Sequence, residues 1–258
     1  MRRGRIAPLA VGAMLGIVAV AVALIWRTNS SAPSYDGAPT VRVGVSDGDS
    51  VPAYVASART ELARLVARAP GKPVYALVSF DGYLAPRQVA DLTSGTADPG
   101  GAGGGLATIA AYARAQLPGR QTELIRLPAN RVPDDLVAGM AEVADRKTKE
   151  ATADLDRAGA DAGSRSLYES MANVAIGEAT AYRATCACVY SLVVRAAPPA
   201  LAALAGRDGV RVVDAAPELA DAAYGVFVAP LPEQVSTVGP LPDIGLVVEP
   251  LARNGVSP

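Results

Sequence analysis

The chain has 258 residues, half of them apolar but only 5% aromatic, with a net charge of −1 and no histidine. The absence of histidine excludes Ser-His-Asp and Cys-His nucleophile activation, imidazole acid–base catalysis and His-containing metal sites. The near-neutral balance leaves no basic surface for a polyanion, so no nucleic acid is expected as a partner. A core drawn mainly from Ala, Val and Leu buries little area per side chain, and marginal stability is expected.

Residues 1–5 carry Arg2, Arg3 and Arg5 and read as a cytoplasmic tail. Ile6 to Trp26 is then free of charge, and its 21 residues span about 31 Å as a helix, matching a hydrocarbon core of about 30 Å. The arginines before it place the N-terminus inside and the bulk of the chain outside. A cleaved signal peptide is the rival reading. The run is longer than such a segment needs and closes on Trp26 and Arg27, which favours an uncleaved, single-pass anchor in the cell membrane. Residues 27–39, rich in Ser, Pro, Ala and Gly, form a tether whose flexible reach is about 20 Å.

Residues 40–130 read as a first α/β unit. Val41 to Val45 alternates as a strand, and Asp47-Gly48-Asp49-Ser50 is a turn ending in an N-cap, with Pro52 close behind. Val51, Tyr54, Val55, Ala58, Leu62, Leu65 and Val66 fall on one helical stripe that Pro70-Gly71 stops. Pro73 to Phe80 is strand-like, and a short helix follows from Pro86 through Val89 and Leu92. The glycine tract Gly100 to Gly105 reads as a flexible insertion: its final glycine position in a phosphate-binding pattern holds Leu106, and no Gly-Lys-Ser/Thr follows. A small helix is expected at Leu106 to Leu117, then a strand at Glu123 to Leu127.

Residues 131–183 form a long helical region starting at Asp134. Its first part presents Leu136, Val137, Met140 and Val143 to a core, while Asp145 to Arg157 is charged almost all round and is expected to face solvent. As a projecting arm it is a candidate surface for a protein partner. Gly159 to Gly163 is a weak point, after which Ser166 and Glu169 are spaced as a capping box.

Residues 184–235 repeat the first unit. Val189-Tyr190-Ser191-Leu192-Val193 matches Val74-Tyr75-Ala76-Leu77-Val78 at four of five positions, and Pro198, Leu201 and Leu204 echo the spacing of Pro86, Val89 and Leu92. A strand at Val210 to Val213 and a last one at Gly225 to Ala229 follow. Residues 236–258 are spaced by Gly and Pro and are expected to lie loosely along the domain. The expected class is α+β or α/β: a transmembrane helix plus an extracytoplasmic domain built from a duplicated helix–strand–helix–strand unit, with a long helical region between the repeats. Its strand–helix–strand pieces resemble ferredoxin-like sandwich modules in architecture. The whole chain, through its Arg-flanked anchor, Cys186-Ala187-Cys188-Val189-Tyr190 and Gly209-Val210-Arg211-Val212-Val213-Asp214, resembles uncharacterised single-pass envelope proteins of GC-rich Gram-positive bacteria. That resemblance implies no activity.

Chemistry-bearing residues are few. Cys186 and Cys188 are the only thiols, placed on one face at the start of an expected strand, about 6.6–6.8 Å apart at Cα. The plain reading is two small apolar side chains buried beside Tyr190 and Leu192. The alternative is a bridged, exchange-active redox pair in an oxidising compartment. A metal site lacks further ligands. Asp47 with Asp49, and Asp134 with Asp135, suit turns and caps; Asp154 with Asp156 suits a solvated face. No cofactor, metal or catalytic set is expected. The functional expectation is therefore a non-enzymatic binding or assembly module of the cell envelope. The alternatives are a thiol-dependent redox or folding helper, and a histidine-free carboxylate hydrolase, which needs a cleft that gathers carboxylates from distant positions.

Overall fold

A computed structural model describes residues 40–95 and 105–241, and the expected anchor Ile6–Trp26, the tether and the tail beyond 241 lie outside them. No helix among the described residues is long and apolar enough to cross a membrane. The class is α+β. Strands β1 (Val41–Gly44), β2 (Val74–Leu84), β3 (Ala107–Ala113), β4 (Ile125–Pro128), β5 (Val189–Ala196), β6 (Val210–Ala216) and β7 (Gly225–Val228) combine with five helices. These are α1 (Val51–Arg68), α2 (Pro86–Thr93), α3 (Asp134–Ala160), α4 (Arg165–Arg183) and α5 (Pro198–Ala205).

Local chemistry explains where elements begin. Gly48 takes a positive φ of 86° in the first turn, Asp49 accepts the Ser46 amide at 2.7 Å, and the Ser50 hydroxyl accepts the Ala53 amide at 3.4 Å to start α1. Proline in the first turn opens α1, α2 and α5, where a missing N–H costs nothing. The Gln88 side chain caps the Ala85 amide at 2.8 Å.

β2 to β6 form one antiparallel sheet in the order β4-β3-β5-β2-β6. Within it β2-α2-β3 is a split unit with β5 between its strands, and β5-α5-β6 is a split unit with β2 between its strands. The two units interlock about a local two-fold: Leu77 faces Val193 and Val78 faces Leu192. The matching stretches Val74–Val78 and Val189–Val193 therefore pair with each other at the centre of the sheet. The strand that completes the first split unit is β3, not the one expected at Glu123 to Leu127, which is the added edge β4.

β3 corrects the helix expected at Leu106 to Leu117. Ala107-Thr108-Ile109-Ala110-Ala111-Tyr112-Ala113 has the alanine content of a helix, yet it pairs with β4 on one side and β5 on the other. Two ladders of backbone hydrogen bonds and burial on both faces override a propensity of a few tenths of a kcal/mol per residue.

One face of the sheet carries α2, α3, α4 and α5, joined by Leu62 of α1. Its core includes Val78, Phe80, Leu136, Met140, Tyr182, Leu192 and Leu201. The other face is covered by the parallel pair β1–β7 and the chain after β6, through Val43, Leu219, Phe227 and Leu231 packed on Leu77, Tyr190 and Val193. Gly44 must be glycine: its φ is 108°, and a Cβ there would meet the Val228 carbonyl oxygen at 2.0 Å.

Three further expectations are corrected. α3 and α4 pack along each other, so the stretch Asp145 to Arg157 is not solvated all round: Lys147, Ala151 and Asp154 are buried. α4 starts one residue before Ser166, with Ser164 at its N-cap and no side-chain cap, so the Ser166–Glu169 capping box does not form. Residues 236–241 are tied to the domain rather than loose. Val51 and Gly48 amides donate to Ser236 and Val238 carbonyls at 2.9 Å, and the Gln121 side chain donates to the Leu241 carbonyl at 2.6 Å.

Candidate functional site

α1 lies beside the β6 edge of the sheet, and β1 runs next to β6. The helical stripe that buries Ala58 and Leu62 leaves Tyr54, Ser57, Glu61, Arg64 and Arg68 along its margin, each three or four residues from the next. Opposite them stand Arg42 from β1, Asp214 near the end of β6, and Glu218 just beyond it. Together they line a cleft of about 500 Å³.

Asp214 is the chemical centre of this cleft. It accepts the Tyr54 hydroxyl at 3.1 Å. Burial pushes its carboxyl up from 3.8 to about 6, with Glu61 and Glu218 adding to the rise and the Tyr54 hydroxyl and Gly44 amide opposing it. The Tyr54 hydroxyl is likewise held above the ordinary tyrosine range, first by burial and then by the negative charge of Asp214. Arg42, Arg64 and Arg68 carry the opposite charge. Among the described residues none of these arginines, and none of Glu61, Asp214 and Glu218, belongs to an ion pair within 4 Å.

The cleft thus draws carboxylates together from positions 61, 214 and 218, the convergence a hydrolase reading requires. The nearby Ser57 hydroxyl is directed along α1 to Glu61 at 3.2 Å. A carboxylate held by a tyrosine hydroxyl is a preorganised acceptor for a cation or hydrogen-bond donor.

The residues singled out in the sequence lie elsewhere. Cys186 and Cys188 form a disulfide, with Cα atoms 5.2 Å apart, in the turn between α4 and β5. This corrects the reading of two buried thiols in an extended strand. Thr185 turns left-handed with φ of 50°, the Cys186 amide donates to the Ala181 carbonyl at 3.2 Å, and β5 begins only at Val189. The bend brings the two Cα atoms closer than ideal strand spacing of about 6.6–6.8 Å and into disulfide range. Cys188 is buried and Cys186 half-buried.

Asp49 serves its turn, and Asp135 accepts the Arg131 amide at 2.9 Å and pairs with its guanidinium at 3.1 Å. Asp154, expected on a solvated face, is buried and pairs with Arg157 at 2.7 Å. Most of the glycine tract lies outside the described residues, and it leads into strand β3, not a helix. Sequence reasoning missed the Tyr54–Asp214 pair. Tyr54 sits within an apolar stripe and reads as core. The signal available was Asp214 itself, a carboxylate set between Val212-Val213 and Ala215-Ala216 in a strand-like stretch. Comparison with protein-family models, with curated proteins and with solved structures found no match to this chain.

Proposed function

We propose that the chain is a single-pass membrane protein whose domain works outside the cytoplasm as a non-enzymatic binding or assembly module of the cell envelope. In this reading Ile6–Trp26 is the anchor, with the N-terminus cytoplasmic, and 27–39 is the tether. The interlocked split units are a ferredoxin-like sandwich carrying a helical hairpin as an insertion. The observation that supports a binding role is the cleft around Asp214, where six charged side chains of both signs face one space without pairing. Such a site has interaction energy to offer a ligand.

The test uses the full chain in cells. A photo-crosslinking amino acid at position 57 should yield a specific adduct that the charge reversal Arg64→Glu removes, and a C-terminal reporter should be active only outside the cytoplasm. Labelling indifferent to that reversal, or a reporter active only inside, overturns the reading.

The Cys186–Cys188 disulfide supports a second reading, a thiol-dependent redox or folding helper in which a partner thiolate attacks the half-buried Cys186. Thiol counting on the denatured, non-reduced chain checks it: none should react before reductant and two after. Two free thiols in the untreated sample would end this reading.

A further inference from the structure

The charges of the cleft are held apart by the fold. Glu61, Arg64 and Arg68 are spaced along α1, Arg42 is fixed on β1, Asp214 on β6 and Glu218 in the segment that follows. Opposite charges on such neighbouring elements ordinarily collapse into surface pairs, as Arg183 of α4 does with Asp145 of α3 at 3.2 Å. Here they do not, and the space between them, about 500 Å³, is within the roughly 300–1,000 Å³ of small-ligand sites. A purely anionic ligand would meet three carboxyl groups, and a purely cationic one would meet three guanidiniums. A ligand with both charges, separated by a few bonds, matches what the cleft presents.

We propose that this cleft seats a zwitterionic ligand of the amino-acid or short-peptide class, its carboxylate against Arg42, Arg64 and Arg68 and its ammonium against Asp214, Glu61 and Glu218. The inference rests on the reading of the cleft as the ligand seat and not on the anchor. Arginine suits the carboxylate end because its planar fork donates two parallel hydrogen bonds. Asp214 suits the ammonium end because the Tyr54 hydroxyl already fixes its orientation. The groups facing Asp214 are Tyr54 and Glu61 from α1, Glu218 after β6 and the Gly44 amide from β1, with Arg42 and Arg64 across the cleft. Binding of an ammonium requires the ionised carboxylate, so affinity falls as pH drops through about 6.

The experiment is calorimetric titration of the full chain in detergent micelles with unblocked Ala-Ala and Ala-Ala-Ala. Their N-acetylated and C-amidated forms and inorganic phosphate complete the probe set. The unblocked peptides should bind, and blocking either end should weaken binding tenfold or more. Asp214→Asn, which keeps an acceptor for Tyr54, should cost tenfold or more, remove the advantage of the unblocked over the N-acetylated peptide, and flatten the pH dependence between 5 and 7. Phosphate or the acetylated peptides binding as well as the unblocked ones would mean a plain anion seat and overturn the proposal. So would absence of binding by every peptide. If the peptides fail while the position-57 adduct still depends on Arg64, the zwitterion falls and the binding module stands.

Discussion

Two charged regions of the domain face opposite ways in their electrostatics. Between α3, α4 and the residues before β4, the Lys147 ammonium lies 2.7 Å from Glu123, 2.8 Å from Glu178 and 3.1 Å from Glu150. Arg146 adds a contact to Glu123 at 2.9 Å, and the second Glu178 oxygen accepts the Glu123 amide at 2.8 Å. Burial acts to lower the Lys147 pKa, but its hydrogen bonds to Glu123 and Glu178 outweigh that and hold it above the usual range. Glu123 is held below its usual range by Lys147 and Arg146, against its own burial. In the cleft by α1 the balance is reversed: desolvation wins, and Asp214 rises to about 6. Charges that satisfy one another hold a helical hairpin to the sheet; among the described residues, those of the cleft form no ion pair within 4 Å.

That contrast can be broken at several points. The largest effect is expected from Lys147→Met, which leaves Glu178 buried without its counter-charge and should cost about 3–5 kcal/mol in denaturant unfolding. Adding Glu178→Gln, which still accepts the Glu123 amide, should recover most of that loss. Asp214→Asn should do the reverse and stabilise. The folded state raises the Asp214 pKa from 3.8 to about 6, so its contribution is fully present below about pH 4 and lost as pH rises through 6. At pH 7 the variant should therefore gain about 1–3 kcal/mol over the parent, and at pH 4 the gain should vanish. A variant that is more stable yet blind to ligand would mark the cleft as functional.

Smaller effects sharpen the comparison. Tyr54→Phe removes one hydrogen bond and should cost about 0.5–1.5 kcal/mol. It should also push the Asp214 carboxyl higher still, because the tyrosine now opposes the rise; NMR titration of that carboxyl reads it directly. Arg64→Ala, at an exposed position without an ion pair, should change stability by no more than about 0.5 kcal/mol. A larger loss in thermal unfolding would mean that the cleft charges do structural work after all.

Legibility followed the range of the interactions. Ser50 with Pro52, the Pro86 and Pro198 starts, the long helical region from Asp134 and the echo of Val74–Val78 in Val189–Val193 are local signals, and all are found where they were read. The misses needed partners distant in sequence. Ala107–Ala113 is a strand because β4 and β5 flank it. Lys147 is buried because Glu123 and Glu178 arrive from either side to neutralise it. Cys186 and Cys188 are bridged because α4 ends in a left-handed turn at Thr185.

Periodicity, capping and composition were enough for the α+β class, most element boundaries, the match of Val74–Val78 with Val189–Val193 and the absence of imidazole chemistry. The tertiary structure alone decided the pairing of the two units, with β5 set inside the first and β2 inside the second. It alone decided which charges meet. Tyr54 and Asp214 are 160 residues apart, and only packing α1 against the sheet edge brings a helix-stripe tyrosine to a strand-end carboxylate. The reason is physical: hydrogen-bond periodicity is written along the chain, whereas desolvation and charge pairing depend on what is packed beside each group.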